Sequence, residues 1–187
     1  MTHSGTLPIM RTAMVAGHIG SAELEDLVAR GARLDFRLPA ASLERLAALA
    51  PANAGGAEIL TASLAFQPGT EGYPQFRLVV DGAVPLVCQR CLQPLVWPVA
   101  VDVALTVVRT DPEAAGLAEP LETVVLGNDG LVPVQVVEDE VLAVLPLAPK
   151  HPDGAPCRPD DLLSPSEQHR PLAGLAELLG RTGPPSE

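Results

Sequence analysis

The sequence predicts an α+β fold: an antiparallel β-sheet domain with a Cys-x-x-Cys hairpin knuckle, a helical N-terminal arm and a mobile C-terminal tail. Three observations carry that prediction. From Ala57 to Thr110 four runs rich in β-branched residues show partial period-two alternation. Leucines and valines at helical spacing are confined to short stretches on either side. Twenty prolines and sixteen glycines in 187 residues interrupt the chain too often for long helices elsewhere.

Residues 1–50 form the predicted arm, with two short amphipathic helices. SAELEDLVARG sets Leu24, Leu27 and Val28 on one face, with Ser21 as N-cap and Gly31 just past the end. ASLERLAALAP does the same with Leu43, Leu46, Ala47 and Leu49, opened by Ser42 and closed before Pro51. Between them LDFRLP alternates as a short strand would. PANAGG is a turn or linker, and residues 51–157 follow as the α+β core domain.

In that domain AEILTASLAFQ, FRLVV, VPLVC and VWPVAVDVALTVVRT are the strand candidates. Val101, Val103, Leu105 and Val107 share one face of the last of these. DPEAAGLAEP reads as an acidic loop, LETVVLG as a further strand, and NDG as a turn. VPVQVVEDEVLAVLP is the best helix of the second half, with Val137, Val141, Val144 and Leu145 on one face and Pro146 as its stop. Glu138, Asp139 and Glu140 fall in its early turns, where acids favour the helix dipole and a solvated face. Residues 158–187 are rich in Pro, Ser and charge and are expected to be a mobile tail with one short helix, RPLAGLAELLG.

All three cysteines lie in two segments, Cys88 and Cys91 in VCQRCLQP and Cys157 in LAPKHPDGAPC, which also holds His151. The first pair sits between two strand candidates, at the tip of a hairpin. Two cysteines separated by two residues can aim both sulfurs at one tetrahedral ion, and a later His and Cys can complete a closed structural zinc site. The interval from His151 to Cys157 is looser than the second half of a typical zinc finger. A thiol redox site remains open on residue types alone, although Pro94 forbids the helix that would lower a thiol pKa from its N-terminus. A plain turn with incidental cysteines is the third alternative.

Net charge is −11, and Lys150 is the one lysine of the chain. From Asp111 to Pro149 there are eight acidic residues and no Lys or Arg. Nucleic-acid affinity comes mainly from neutralising phosphates, so this composition favours basic protein partners. Direct RNA binding would need Arg33, Arg37, Arg45, Arg77, Arg90 and Arg109 to cluster, and aromatics for base stacking are only 3% of the chain. No apolar run approaches the ~20 residues that cross a bilayer, and the N-terminus lacks the order of a secretory signal, so no membrane association and a cytoplasmic location are expected. Ser-His-Asp, Walker and dinucleotide-binding patterns are missing from the sequence.

VCQRCLQPL, with VVEDEVLAVLPLAPKHPDGAPC and PLAGLAELLG after it, resembles the YceD family in order and separation. The resemblance runs from about Val84 to Gly180, while the N-terminal arm matches only at IMRTA. It implies a cytoplasmic, non-enzymatic factor that supports synthesis, processing or stability of 23S rRNA and hence large-subunit assembly. The partner expected on these grounds is a basic ribosomal protein or an rRNA-processing factor. Cys88, Arg90, Cys91, Glu138, Asp139, Glu140, Pro146, Pro149, His151 and Cys157 are the positions that carry the family motif. The competing readings are a zinc- or thiol-dependent enzyme, with Glu138 to Glu140 approaching the cysteines, and a direct RNA-binding module.

Overall fold

A computed structural model describes residues 17–117, 121–153 and 157. The tail with its leucine-rich segment, and the IMRTA match, lie outside the described residues.

The sheet has five strands in the order β1 (Arg33–Pro39), β2 (Ile59–Pro68), β3 (Pro74–Val87), β4 (Pro94–Val108) and β5 (Thr123–Val125). The first four pair antiparallel as a meander. The alternation that marks these strands also sorts their faces. Leu34 and Phe36, then Leu60, Ala62, Leu64 and Phe66, then Phe76, Leu78 and Val80 are all buried, whereas Arg33, Asp35, Arg37, Arg77 and Asp102 face solvent. Two open-face arginines are paired, Arg33 with Asp35 at 2.8 Å and Arg77 with Asp102 at 2.5 Å.

The expectation of a purely antiparallel sheet is corrected by β5, which lies parallel to β4 with Val107 opposite Val124. A parallel neighbour needs a crossover rather than a tight turn. The crossover contains α3 (Asp111–Ala115), where an acidic loop was expected. Thr110 accepts a hydrogen bond from Glu113 N–H, Pro112 stands in the first turn, and Glu113 reaches back to accept from Arg109 N–H at 2.7 Å. That is nearly the reciprocal capping box of a Thr-x-x-Glu sequence.

Helices α1 (Ser21–Ala29) and α4 (Pro133–Val144) cover the apolar face of the sheet. Ser21 is not the N-cap of α1; Gly20 holds that place without a side-chain cap. The other end closes as expected at Gly31 (φ 56°), with Gly31 N–H bonded to Val28 and Ala32 N–H to Leu27, a Schellman motif. The second N-terminal helix shrinks to α2 (Glu44–Ala47), preceded by a 3₁₀ turn in which Ser42 bonds back to Pro39.

Leu24, Leu27, Leu34, Leu43 and Leu46 join one buried cluster with the strands of the second half and with Val136, Val137 and Val141 of α4. The acids of α4 do not form a uniformly solvated start. Glu138 is 6% exposed and points at α2, while Asp139 is exposed and Glu140 half-buried. Among the described residues no helix is long and apolar enough to cross a membrane.

Candidate metal centre

Strand parity delivers the first donor. Even-numbered positions of β3 face the core at Phe76, Leu78, Val80, Val84 and Leu86, and the next even position is Cys88, fully buried. Cys88 N–H bonds to Gln93 O at 3.0 Å and Leu92 N–H returns to Cys88 O at 2.9 Å, closing a tight turn between β3 and β4. Leu92 takes a left-handed φ of 57° to complete it. This turn folds Cys91, 2% exposed, inward beside Cys88.

The second pair arrives from beyond α4. Pro146 stands just after that helix, whose C-cap Leu145 is already extended. Gln89 N–H then bonds to Pro149 O at 2.8 Å, tying the outgoing segment to the turn. His151 follows, its Nε2 3.1 Å from Pro94 O. A carbonyl only accepts, so Nε2 carries the proton, and Nδ1 is the ring atom turned to the sulfurs, with a lone pair to offer when the ring is neutral.

The Sγ atoms of Cys88, Cys91 and Cys157 and a ring nitrogen of His151 all lie within 4.8 Å of one another. Cys88 Sγ to Cys157 Sγ is 3.7 Å and Cys91 Sγ to His151 Nδ1 is 3.5 Å. The cysteines are free thiols, and 3.7 Å is far beyond an S–S bond of ~2.05 Å. Tetrahedral zinc with Zn–S of ~2.3 Å separates two sulfurs by ~3.8 Å. The donor set and its spacing therefore fit a metal ion, and the hydrogen bond from His151 to Pro94 is the outer contact that fixes a ligating imidazole.

Arg90, the family-motif arginine inside the turn, donates from Nε to Cys157 Sγ at 2.9 Å. It supplies positive charge where three thiolates would gather. The ionisation equilibria favour the thiolate at two of the three cysteines. Burial opposes charge on Cys88, but backbone N–H groups of Cys91, His151 and Arg90 outweigh it and hold the thiol down to about 5. At Cys157 burial again opposes charge, and Arg90 and His151 prevail to lower the pKa. Cys91 is pushed up: a backbone bond at Gln93 favours its thiolate, yet burial and the two neighbouring thiols dominate. His151 is raised, chiefly by its contact with Cys157, against desolvation.

Of the ten motif residues, the structure gathers Cys88, Arg90, Cys91, His151 and Cys157 here, with Pro149 held by its carbonyl. Glu138 and Asp139 are engaged elsewhere. Glu138 bonds to Arg45 and Leu46, and Asp139 pairs with Arg45 at 2.6 Å. Sequence reading missed Pro94 and Gln89, whose roles use only backbone or a ring partner and so leave no side-chain signal.

The family model described as Large ribosomal RNA subunit accumulation protein YceD matches residues 76–179, more than half of the chain, so the chain belongs to that family. No solved structure matches it.

Proposed function

We propose, from the premise of YceD-family membership, that this protein is a non-catalytic factor supporting 23S rRNA accumulation and large-subunit assembly through protein contacts, with one structural zinc at Cys88, Cys91, His151 and Cys157. The observation that supports it best is the closed donor set. Three thiols and one imidazole, four donors in all, converge with Arg90 beside them, enough to fill a tetrahedral site. Catalytic zinc normally keeps three protein ligands and an open position. Near-complete burial of Cys88 and Cys91 also disfavours thiol exchange, which needs access.

Bound zinc would supply cross-linking rather than chemistry. Cys88 and Cys91 hold the β3–β4 turn, His151 and Cys157 hold the segment after α4, and Arg90 balances the excess thiolate charge. The partner we infer is a basic ribosomal protein or rRNA-processing factor. Four of the six arginines that a phosphate-binding face would need are occupied: Arg33 by Asp35, Arg45 by Glu138 and Asp139, Arg77 by Asp102, and Arg90 by Cys157. Acidic residues Asp111, Glu122, Asp129 and Asp139 stay exposed.

Depletion of the protein should lower 23S rRNA relative to 16S rRNA. Tagged protein should recover a basic large-subunit component in low salt and release it as salt screens the contact. Recovery that persists in high salt with naked RNA alone would sink the protein-contact reading and favour direct RNA binding.

A further inference from the structure

Beside the metal centre lies a groove of about 600 Å³ walled mainly by Leu95, Val96, Trp97, Pro98, Lys150 and His151. Its lining is largely apolar, and Val96 stands 61% exposed at its edge. An uncovered surface of this kind on a strand beside a half-buried tryptophan needs an occupant. Lys150, the one lysine of the chain, supplies a lone positive charge at the rim.

We infer that the groove is the docking site of this chain's own residues 171–180. Leu172, Leu175, Leu178 and Leu179 recur at helical spacing, and Glu177 stands beside them to meet Lys150. Ten residues containing Gly174 are too few to hold a helix alone, so an apolar face there needs a surface to form against.

The connection permits it. Cys157 sits in the cluster with His151, which is itself a wall of the groove, so the outgoing chain starts next to the site. The thirteen residues 158–170 can span roughly 45 Å when extended, more than the return requires. The family match supplies a further argument, because it runs from β3 without a break through Leu179. Groove and segment are parts of one family unit. The occupant is thus intramolecular, and the docking stands apart from the choice of ribosomal partner.

Trp97 is the chain's one tryptophan and a groove wall, so its emission reads occupancy directly. In full-length protein, Leu175→Asp with Leu178→Asp should shift Trp97 emission to the red and raise acrylamide quenching, with far-UV circular dichroism and metal content of the core retained. The reciprocal variant Val96→Asp, at an exposed position, should remove hydrogen-exchange protection from amides 172–179. Unchanged emission in the first variant, or amides 172–179 as unprotected in the native chain as in the second, overturns the proposal. A native Trp97 environment that changes on dilution also overturns it, by assigning the groove to a second copy.

Discussion

Glu138 caps a helix it does not belong to. Its Oε1 accepts from the backbone N–H of Arg45 at 2.7 Å and of Leu46 at 3.2 Å, the second and third residues of α2. Oε2 takes Arg45 Nε at 3.0 Å. The N-cap residue Leu43 has no side chain able to do this. A buried carboxylate is thereby satisfied by the orphan donors of a helix start and by one guanidinium.

Glu138→Ala should therefore cost more than an exposed acid would. Two backbone donors at a partly buried helix start lose their acceptor, a penalty of about 1–3 kcal/mol. Glu138→Gln keeps an acceptor and should cost less, and Asp139→Asn, at an exposed pair, less than ~1 kcal/mol. Urea midpoints of the three variants check the order.

Cys88→Ser with Cys91→Ser should remove the bound metal and destabilise the fold, because binding energy at a structural site is folding energy. A loss of about 3 kcal/mol would lower Tm by roughly 10 °C in a chain of this size. Elemental analysis of protein purified without chelator should give about one zinc per chain for the native sequence and none for the variant. An unchanged Tm in the double variant would refute the structural site.

Glu140 sets a pH dependence. Burial, followed by the charges of Glu122 and Asp139, raises its pKa above the ordinary glutamate range. A folded value above the unfolded one favours the fold at pH below that ordinary range, and the benefit is lost as pH climbs through the raised folded value. Glu140→Gln should thus raise the urea midpoint at pH 7 and leave it nearly unchanged at pH 4. Equal effects at both would show that the charge is not the cause.

Gly82 marks the closest approach in the meander. A Cβ there would lie 2.5 Å from Ile59 O and 3.0 Å from a Leu60 methyl, and its φ of 155° is unfavourable for a side chain. Backbone cannot give way as a flexible side chain can, so Gly82→Ala should cost about 1–3 kcal/mol. Gly55→Ala, with open space around it, is the control and should stay within ~0.5 kcal/mol.

The elements that sequence made legible were those governed by local pattern. Period-two alternation located β2 and β4 and marked FRLVV and VPLVC, which the structure joins through Asp81 to Ala83 into the single β3, and helical spacing with Pro146 located α4. Direction and distant pairing were not legible. Three residues of β5 carry no mark of running parallel, since that depends on the crossover above them. The Thr-x-x-Glu signal at Thr110 was available and lost to the acidic, Pro-containing look of the segment. At the site, the residue types of the four donors allowed one cluster but left a redox site and a plain turn open, and the loose interval from His151 to Cys157 spoke for neither until the fold brought all four within 4.8 Å. What Glu138 does could not be read, because its partners lie 93 and 92 residues away and are partly backbone N–H groups.

The two halves of the donor set are far apart along the chain, Cys88 lying 69 residues from Cys157 and Cys91 60 from His151. Cys88 and Cys91 belong to a hairpin whose pairings are local in sequence, whereas His151 and Cys157 follow the β4–β5 crossover and α4 along the chain. An ion bound at this point would act as a latch between the two halves. It should slow unfolding of the finished molecule while leaving the rate of folding nearly untouched, which makes persistence in the cell, rather than speed of maturation, the property the four side chains govern.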